Sequence, residues 1–311
     1  MINISQSVDL ADAPAPVREL VQQREEARAK KDFAVSDKLR QTIKEAGYLV
    51  NDKDDGLEIL KIGDTDKKPV KSFLLLFGSG ENAPGSVDIY RQTFLQLGKR
   101  NLKIALISTP AGFQPNVKTV YGEIKDFLIT SLPDFNLDIH VIEANNRDLT
   151  NDPAIVEKIM GTDVIFMGPG SPTYAVKHLL GTKLLTAIIG LMKNGSTLIL
   201  ASAATIACSK FALPVYEIYK VGEDLHWVDG LNLYKEIWSE CTVIPHFNNR
   251  EGGKDLDTSY CFVGQGRAEK MLAMLPEAEN ILGIDEHTAL IIDLKTGEQS
   301  VRGKGGIHKV K

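Results

Sequence analysis

From Lys71 onward, short runs of consecutive apolar residues alternate with amphipathic stretches. The pattern predicts strands separated by helices. The strand candidates are residues 73–77, 104–107, 139–142, 164–167 and 197–201. Strands that are apolar along their whole length are typical of a parallel sheet covered by helices on both faces. We therefore predict an α/β domain with a doubly wound, mostly parallel sheet, closed at one edge by further strands within residues 281–301.

The first part of the chain has a different pattern. Residues 1–15 are polar and end in alternating alanine and proline, which predicts a flexible tail. Apolar residues at helical spacing then predict two helices, the first beginning at Pro16 and the second ending at Gly47. Apolar runs on either side of NDKDDG predict a small hairpin. The predicted organisation is a tail at 1–15, a helical module with a hairpin at 16–62, a linker at 63–70 and the α/β domain at 71–311.

Composition and charge narrow the class of protein. The 311 residues are 43% hydrophobic and 25% charged, as expected of a soluble globular protein with one large and one small unit. The net charge of −5 gives no general attraction to nucleic acid or to anionic membranes. The three cysteines are too scattered for a disulfide framework or a zinc motif. Without a signal-peptide pattern or a long apolar run, we expect a cytoplasmic protein with no membrane segment. The spacing of His246, Glu251, Asp255 and Asp257 matches no defined set of metal ligands, so we expect no metal or cofactor.

Four turns follow predicted strands, and in a parallel sheet such turns meet at the carboxyl edge. They are FGSGENAPG at 77–85, STPAGFQPN at 108–116, MGPGSPTYA at 167–175 and LASAATIAC at 200–208. In the fourth turn, Ser202 comes directly after a strand and before a run of small residues that predicts a helix start. This placement suits the nucleophile elbow of a hydrolase. It also suits a helix N-cap, which is the commoner role of a serine between a strand and a helix.

Three segments in chain order, LASAATIAC, PVYEIYK and VIPHFNN, resemble the nucleophile, acid and histidine segments of the dipeptidase E and cyanophycinase family of serine peptidases. The resemblance implies a class I glutamine amidotransferase-like fold, with Ser202 as nucleophile, His246 as general base and Glu217 as the carboxylate that orients the base. A serine hydroxyl needs an imidazole to take its proton, and the imidazole needs a carboxylate to hold its tautomer. The alternatives are a surface ion pair for Glu217 and a core histidine for His246.

Other segments resemble the same family. FGSG is similar to its first glycine loop, which implies that the backbone N–H groups of Gly80 and Ala203 hold the oxyanion. STPAG, MGPGSPTYA and GIDEHTALII are similar to further family segments. We expect the substrate to contact these loops or the polar segment after His246, at Gly78, Ser79, Gly168, Gly170, Ser171, Asn248 and Arg250. For the glycines the alternative is a role in tight turns, and for the polar segment it is a solvated loop instead of a lid.

The elbow departs from the family pattern. The family usually has glycine two residues before and two residues after the serine, where this chain has Leu200 and Ala204. Because leucine is much larger than glycine, we expect the turn to be relaxed or re-aimed. Cys208 lies too far beyond the elbow to replace the serine, so cysteine-based chemistry is not expected.

The N-terminal segment EARAKKDFAVSDKLRQTIKEAGYLVNDKDDG resembles the short C-terminal helical module of cysteinyl-tRNA synthetase. In the synthetase this part lies in the tRNA-binding region, which implies tRNA as a partner of residues 16–62. Ten basic and ten acidic residues balance in this range, so binding would require Lys30, Lys31, Lys38 and Arg40 on one side. The alternative is a packing or dimerisation module, which would make the protein a homodimer.

The leading hypothesis is a serine hydrolase that cleaves a peptide or amide bond of a small substrate, with the family's acidic substrates as the model. Two other hypotheses stay open. One is a catalytically inactive domain of the same fold that binds a small ligand, and the other is a tRNA-associated protein that uses the N-terminal module.

Overall fold

The computed structural model describes residues 4–46, 48–53, 56–62 and 71–311. The chain divides into two compact units, Met1–Pro69 and Val70–Lys311. The predicted helix end at Gly47 and the predicted linker at 63–70 lie outside the described residues.

Strands and helices alternate along most of the chain. The strands are β1 (Ile4–Val8), β2 (Tyr48–Lys53), β3 (Gly56–Ile62), β4 (Phe73–Phe77), β5 (Asn101–Ile107), β6 (Asn136–Ile142), β7 (Val164–Met167), β8 (Thr197–Ala201), β9 (Phe211–Ala212), β10 (Val228–Asp229), β11 (Thr242–Ile244), β12 (Ile281–Ile284), β13 (Thr288–Asp293), β14 (Gln299–Gly303) and β15 (Ile307–Lys309). The α-helices are α1 (Ala15–Ala29), α2 (Phe33–Glu45), α3 (Val87–Gln96), α4 (Val117–Ser131), α5 (Arg147–Asn151), α6 (Pro153–Lys158), α7 (Pro172–Leu179), α8 (Lys183–Lys193), α9 (Ala203–Ala207), α10 (Leu233–Ile237) and α11 (Gln265–Ala273).

The small unit packs two helices beside a three-stranded antiparallel sheet of order β1-β3-β2. Val17 and Val21 of α1, Ile43 of α2 and Ile59 of β3 meet in its core, as the helical and alternating patterns predict. The predicted hairpin is confirmed by the pairing of β2 with β3. The prediction of a flexible tail is wrong from Ile4 onward, because residues 4–8 pair with β3 as an edge strand.

A buried cation joins the helices of the small unit to its sheet. Arg24 on α1 is 1% exposed, and its guanidinium donates hydrogen bonds of 2.9 and 3.1 Å to the two carboxylate oxygens of Asp52 on β2. The hydrogen bond from Arg24 lowers the pKa of Asp52. A buried guanidinium is costly unless a carboxylate pairs with it, so Asp52 stabilises the way α1 packs on the sheet.

The large unit is built on a seven-stranded sheet of order β14-β13-β4-β8-β7-β5-β6. The strands from β4 to β6 in this order run parallel, and β13 and β14 close one edge in antiparallel pairing. Along β4 the side chains of Leu74 and Leu76 enter one core cluster, and those of Leu75 and Phe77 enter the other. Helices therefore cover both faces, which confirms the predicted doubly wound α/β fold.

A second, smaller sheet stands beside the first. It has the order β11-β12-β15. The prediction that the strands within residues 281–301 close one edge of the main sheet is therefore confirmed for β13 and β14 and wrong for β12. Strands β11 and β12 are parallel, with Thr242 opposite Ile281 and Ile244 opposite Gly283. The residues that follow both strands therefore emerge side by side.

In the part of the chain that the structure describes, no single helix is long and apolar enough to cross a membrane. The helices α7 and α8, which meet at a 94° bend, satisfy the criteria of length and composition only when taken together.

The ion pair between the buried Arg24 and the exposed Asp52 predicts the acid sensitivity of the small unit. Replacing Asp52 with Asn should destabilise this unit by about 1 kcal/mol or less at neutral pH, because a charged hydrogen bond is lost but water screens the 39% exposed carboxylate. Since folding lowers the pKa of Asp52, its contribution is present above the ordinary aspartate pKa and disappears as the pH falls below that value. Hydrogen exchange of amides in α1 and β2 measures the effect, with the exposed Asp37→Asn as control. Equal exchange in the wild type and Asp52→Asn would contradict the assignment.

Candidate functional site

Ser202 stands between the end of β8 and the start of α9. Its φ of 51° and ψ of −113° are unusual for a residue with a side chain, and they make the sharp turn that exposes the hydroxyl. The side chain makes no capping hydrogen bond to α9. Instead, its Oγ lies 3.0 Å from Nε2 of His246. The N-cap interpretation is therefore wrong for this serine.

Leu200 and Ala204 do not relax this turn. Leu200 is fully buried in the core cluster beneath the sheet, and Ala204 lies in the same cluster. The side chain of Leu200 therefore enters the core, and the described residues that line the cavity containing Ser202 do not include it. The expectation of a relaxed elbow is not met, since Ser202 keeps its positive φ.

His246 follows β11 and also has a positive φ, of 50°. Its backbone N–H donates to the carbonyl of Gly78 at 3.0 Å, and its own carbonyl accepts from the N–H groups of Asn249 and Cys261 at 3.1 Å each. The ring of Phe262 lies beside the imidazole, with centroids 5.7 Å apart. The backbone on both sides therefore fixes the direction in which the imidazole points.

The carboxylate that contacts the imidazole belongs to Glu286, in the loop between β12 and β13. Its Oε1 lies 2.9 Å from Nδ1 of His246 and accepts a second hydrogen bond, of 2.8 Å, from the side-chain amide of Asn249. The backbone N–H of Glu286 donates to Oδ1 of Asn248 at 2.8 Å. Asn249 is 1% exposed, so this network is held inside the protein.

The prediction that Glu217 orients His246 is wrong. Glu217 begins the π-helical turn Glu217–Val221, and its Oε1 accepts a hydrogen bond from the hydroxyl of Thr173 at the start of α7. This contact holds the carboxylate in a neighbouring cavity, which Thr173 also lines, and Glu217 is not among the described residues that line the cavity with Ser202 and His246. The position beside the imidazole is taken by Glu286 because β11 and β12 are parallel neighbours in register.

The pKa values of the ionisable groups near the imidazole are shifted in different directions. The hydrogen bond from His246 lowers the pKa of Glu286 below the usual glutamate value, so Glu286 is a carboxylate at neutral pH. Burial raises the pKa of Glu81, which follows the first glycine loop and is 8% exposed. Burial also raises the pKa of the Cys261 thiol, which keeps this neighbour of His246 uncharged.

The loop after β4 is held against the loop that carries Glu286. Gly78 donates its N–H to Thr288, and the hydroxyl of Ser79 accepts from the N–H of His287 at 3.1 Å. Gly80 has a φ of 75°, and a β-carbon there would stand 2.4 Å from the His287 ring. The predicted substrate residues Gly78 and Ser79 thus make internal contacts that shape this loop.

The remaining predicted substrate residues have different surroundings. Gly170 lies in the wall of a cavity of about 260 Å³ that also contains Ser202 and His246. Gly168 donates its N–H to the hydroxyl of Tyr121, and Ser171 caps α7 through the N–H of Tyr174. In the polar segment, the side-chain oxygen of Asn248 is engaged by Glu286. Arg250 is exposed, and the described residues that line the cavity do not include it.

The role of Glu286 is not evident from the sequence, although GIDEHTALII resembles a family segment. The available signal is its position, because Glu286 is the second residue after β12 just as His246 is the second residue after β11. Two such residues meet only if their strands are neighbours. The sequence of one chain does not reveal that pairing.

Two family models match the chain. The model of peptidase family S51 covers residues 74–299, and that of the cysteinyl-tRNA ligase anticodon binding domain covers residues 10–59. Over 50 residues the chain is 44% identical to the cysteine–tRNA ligase of Methanosarcina acetivorans. This stretch is 16% of the chain and 11% of the ligase, so the chain spans about a tenth of the length of that curated relative.

Solved structures are similar to the large unit. A peptidase from an acI-B1 actinobacterium matches 78% of this chain and 91% of its own, with a TM-score of 0.61 and 22% identity, which is a likeness of fold. A peptidase E candidate from Listeria monocytogenes EGD-e matches 76% of this chain and 100% of its own, with a TM-score of 0.49 and 15% identity. Both resemblances inferred from the motifs are confirmed by the family models, and since the S51 model covers more than half of the sequence, the chain belongs to peptidase family S51.

Proposed function

We propose that the large unit is a serine hydrolase that cleaves a peptide or amide bond of a small substrate. Ser202 is the nucleophile, His246 the general base and Glu286 the carboxylate that orients the base. The observation that carries the proposal is the continuous chain of hydrogen-bond distances, 3.0 Å from Ser202 to His246 and 2.9 Å from His246 to Glu286. Membership of a peptidase family supports the same reaction class.

The geometry sets the direction of proton transfer. An ionised Glu286 accepts from Nδ1–H of His246, so the lone pair of Nε2 faces the Ser202 hydroxyl. When Oγ attacks the carbonyl carbon, Nε2 takes the hydroxyl proton, and the carboxylate stabilises the imidazolium that forms. His246 then gives this proton to the leaving amine as the carbon–nitrogen bond breaks. Water, deprotonated by the same imidazole, hydrolyses the acyl-enzyme and restores Ser202.

Two backbone N–H groups are proposed to hold the oxyanion, those of Ala203 and Gly80. Ala203 is the first residue of α9, so its N–H has no acceptor within the helix. Gly80 lies in the loop after β4, which is adjacent to β8 in the sheet, and its left-handed φ of 75° turns the local backbone. Donors fixed in this way stabilise charge that develops in the transition state.

Covalent labelling tests the proposed nucleophile. A fluorophosphonate should modify the purified protein at Ser202, as located by peptide mass spectrometry. Ser202→Ala should abolish labelling, and His246→Ala should slow it by about 100-fold or more, because the hydroxyl then has no base. Ser239→Ala, which removes an exposed serine of the large unit, serves as a control for nonspecific modification. A folded wild-type protein that stays unlabelled would refute the hydrolase and favour a ligand-binding domain.

The packing of Leu200 makes a prediction about the elbow. Leu200→Gly should destabilise the large unit by about 3–5 kcal/mol, because a fully buried side chain leaves a cavity in the core. The labelling rate of the folded variant should stay close to that of the wild type, because Leu200 is not among the described residues that line the cavity with Ser202. Chemical denaturation and labelling kinetics measure the two effects. A tenfold rise in labelling would show instead that leucine restrains the nucleophile.

A second candidate function concerns the small unit. We propose that residues 10–59 bind tRNA, on the basis of their match to the cysteinyl-tRNA ligase anticodon binding domain. Lys30 and Lys31 are exposed in the turn between α1 and α2, and Lys38 and Arg40 are exposed on α2. Exposed lysine and arginine side chains are the groups that contact phosphates.

Binding of total tRNA to the full chain tests this proposal. Filter binding should be salt-dependent, and Lys30→Glu with Lys31→Glu should weaken it and reduce the salt slope by about 2. The matched control is Lys158→Glu with Lys183→Glu, two exposed lysines of the large unit. Absence of binding at low salt, or equal loss in both double variants, would refute a tRNA site on the small unit.

A further inference from the structure

The cavity beside Ser202 has an apolar bottom. Its buried lining residues include Ala203, Ile206, Val215 and Cys261, which are 2%, 1%, 8% and 3% exposed. Burial raises the pKa of the Cys261 thiol, so this residue contributes an uncharged, weakly polar surface. A group that enters the bottom of the cavity therefore meets hydrocarbon and sulfur.

Aromatic rings form the wall above that bottom. Tyr219 and Phe262 both line the cavity, and their ring centroids are 5.5 Å apart. Phe262 also lies beside the imidazole of His246, at 5.7 Å between centroids. The aromatic wall thus reaches from the catalytic base to the π-helical turn, and it borders the position of a substrate's scissile bond.

The backbone that carries this wall is strained. Tyr260, Cys261 and Phe262 have consecutive left-handed φ values of 52°, 58° and 68°. Such values are unfavourable for residues with side chains. The turn is held by hydrogen bonds from the N–H of Cys261 to His246 and from that of Tyr260 to Phe247. Because the same turn supports both the base and the wall, the shape of the cavity is tied to the geometry of the base.

Apart from His246, the described lining residues with basic or acidic side chains are Lys220 and Glu251, and both are exposed at the mouth of the cavity. The ammonium of Lys220 lies 4.7 Å from the centroid of the Tyr219 ring. Beside Ile206, Val215 and Cys261, a carboxylate would lose its water without gaining a charged partner from these three residues. Burying an unpaired charge in this way is highly unfavourable.

The structure assigns this cavity to an apolar side chain of the substrate, adjacent to the bond that Ser202 attacks. The assignment rests on the proposed hydrolase function and names its substrate class, a short peptide with a branched aliphatic or aromatic residue. It differs from the acidic preference that the resemblance to dipeptidase E and cyanophycinase implies. One methylene in an apolar pocket is already worth about 10–200-fold in kcat/KM. An unpaired carboxylate is less favourable there than a missing methylene, so the leucine peptide should exceed the aspartate peptide by at least about tenfold.

Matched dipeptides test the assignment. Leucine, aspartate or alanine occupies one position and glycine the other, in both orders, and amine release gives kcat/KM. Leucine and aspartate side chains are close in size, so their ratio measures polarity. Val215→Phe should fill the bottom and lower the ratio of kcat/KM for the leucine peptide to that for the alanine peptide by at least about tenfold. Tyr219→Arg should raise the relative rate of the aspartate peptide by about tenfold, and Phe113→Arg, an exposed aromatic outside the cavity, should leave the ratio unchanged.

The outcomes separate this inference from the proposed function. A wild-type protein that is labelled at Ser202 but cleaves the aspartate peptide as fast as the leucine peptide overturns the apolar cavity and leaves the hydrolase intact. If Ser202 is not labelled, calorimetric titration of Ser202→Ala with the same dipeptides decides the question. Tighter binding of the leucine peptide supports the apolar cavity, and equal or tighter binding of the aspartate peptide overturns it.

Discussion

The hydrogen bond between His246 and Glu286 is the interaction on which the proposed chemistry depends. It joins the ends of two parallel strands, β11 and β12, whose register places both side chains at one edge of the small sheet. The buried amide of Asn249 shares the same carboxylate oxygen, and Asn248 holds the backbone of Glu286. Without this register the imidazole would have no partner that distinguishes its two nitrogens, and Ser202 would face a base of undefined tautomer.

The surrounding loops are connected to one another. In the loop after β4, the carbonyl of Gly78 accepts from the N–H of His246, and the N–H of Gly78 donates to the carbonyl of Thr288 at the start of β13. The hydroxyl of Ser79 in the same loop accepts from the N–H of His287, which follows Glu286. Three residues with unusual backbone angles, Ser202, His246 and Phe262, lie in or beside these loops. Their conformations are unfavourable in isolation. They persist because hydrogen bonds from neighbouring strands hold them, so the strain of the site is offset by the regular sheet around it.

Much of the fold follows from the hydrophobic pattern. Uninterrupted apolar runs such as residues 73–77 can only be buried strands in this setting, and the helical spacing around Val21 and Ile43 predicts the small unit. The strand at residues 4–8 could not be predicted, because ISQSV has too few apolar positions and becomes a strand only by pairing with β3. Ser202 and His246 could be identified from motifs. Glu286 could not be distinguished from Glu217, because that choice depends on which strands are neighbours, and the tertiary fold decides it.

The most direct test of the triad compares two carboxylates in one reaction. Glu286→Gln and Glu217→Gln each replace a carboxylate with an amide of the same size, and the rate of Ser202 labelling by a fluorophosphonate measures what remains of the nucleophile. The account predicts that Glu286→Gln slows labelling by at least about 100-fold, because the amide no longer holds the imidazole in the reactive tautomer. Glu217→Gln should change the rate by less than about threefold. Slow labelling of Glu217→Gln together with normal labelling of Glu286→Gln would contradict it.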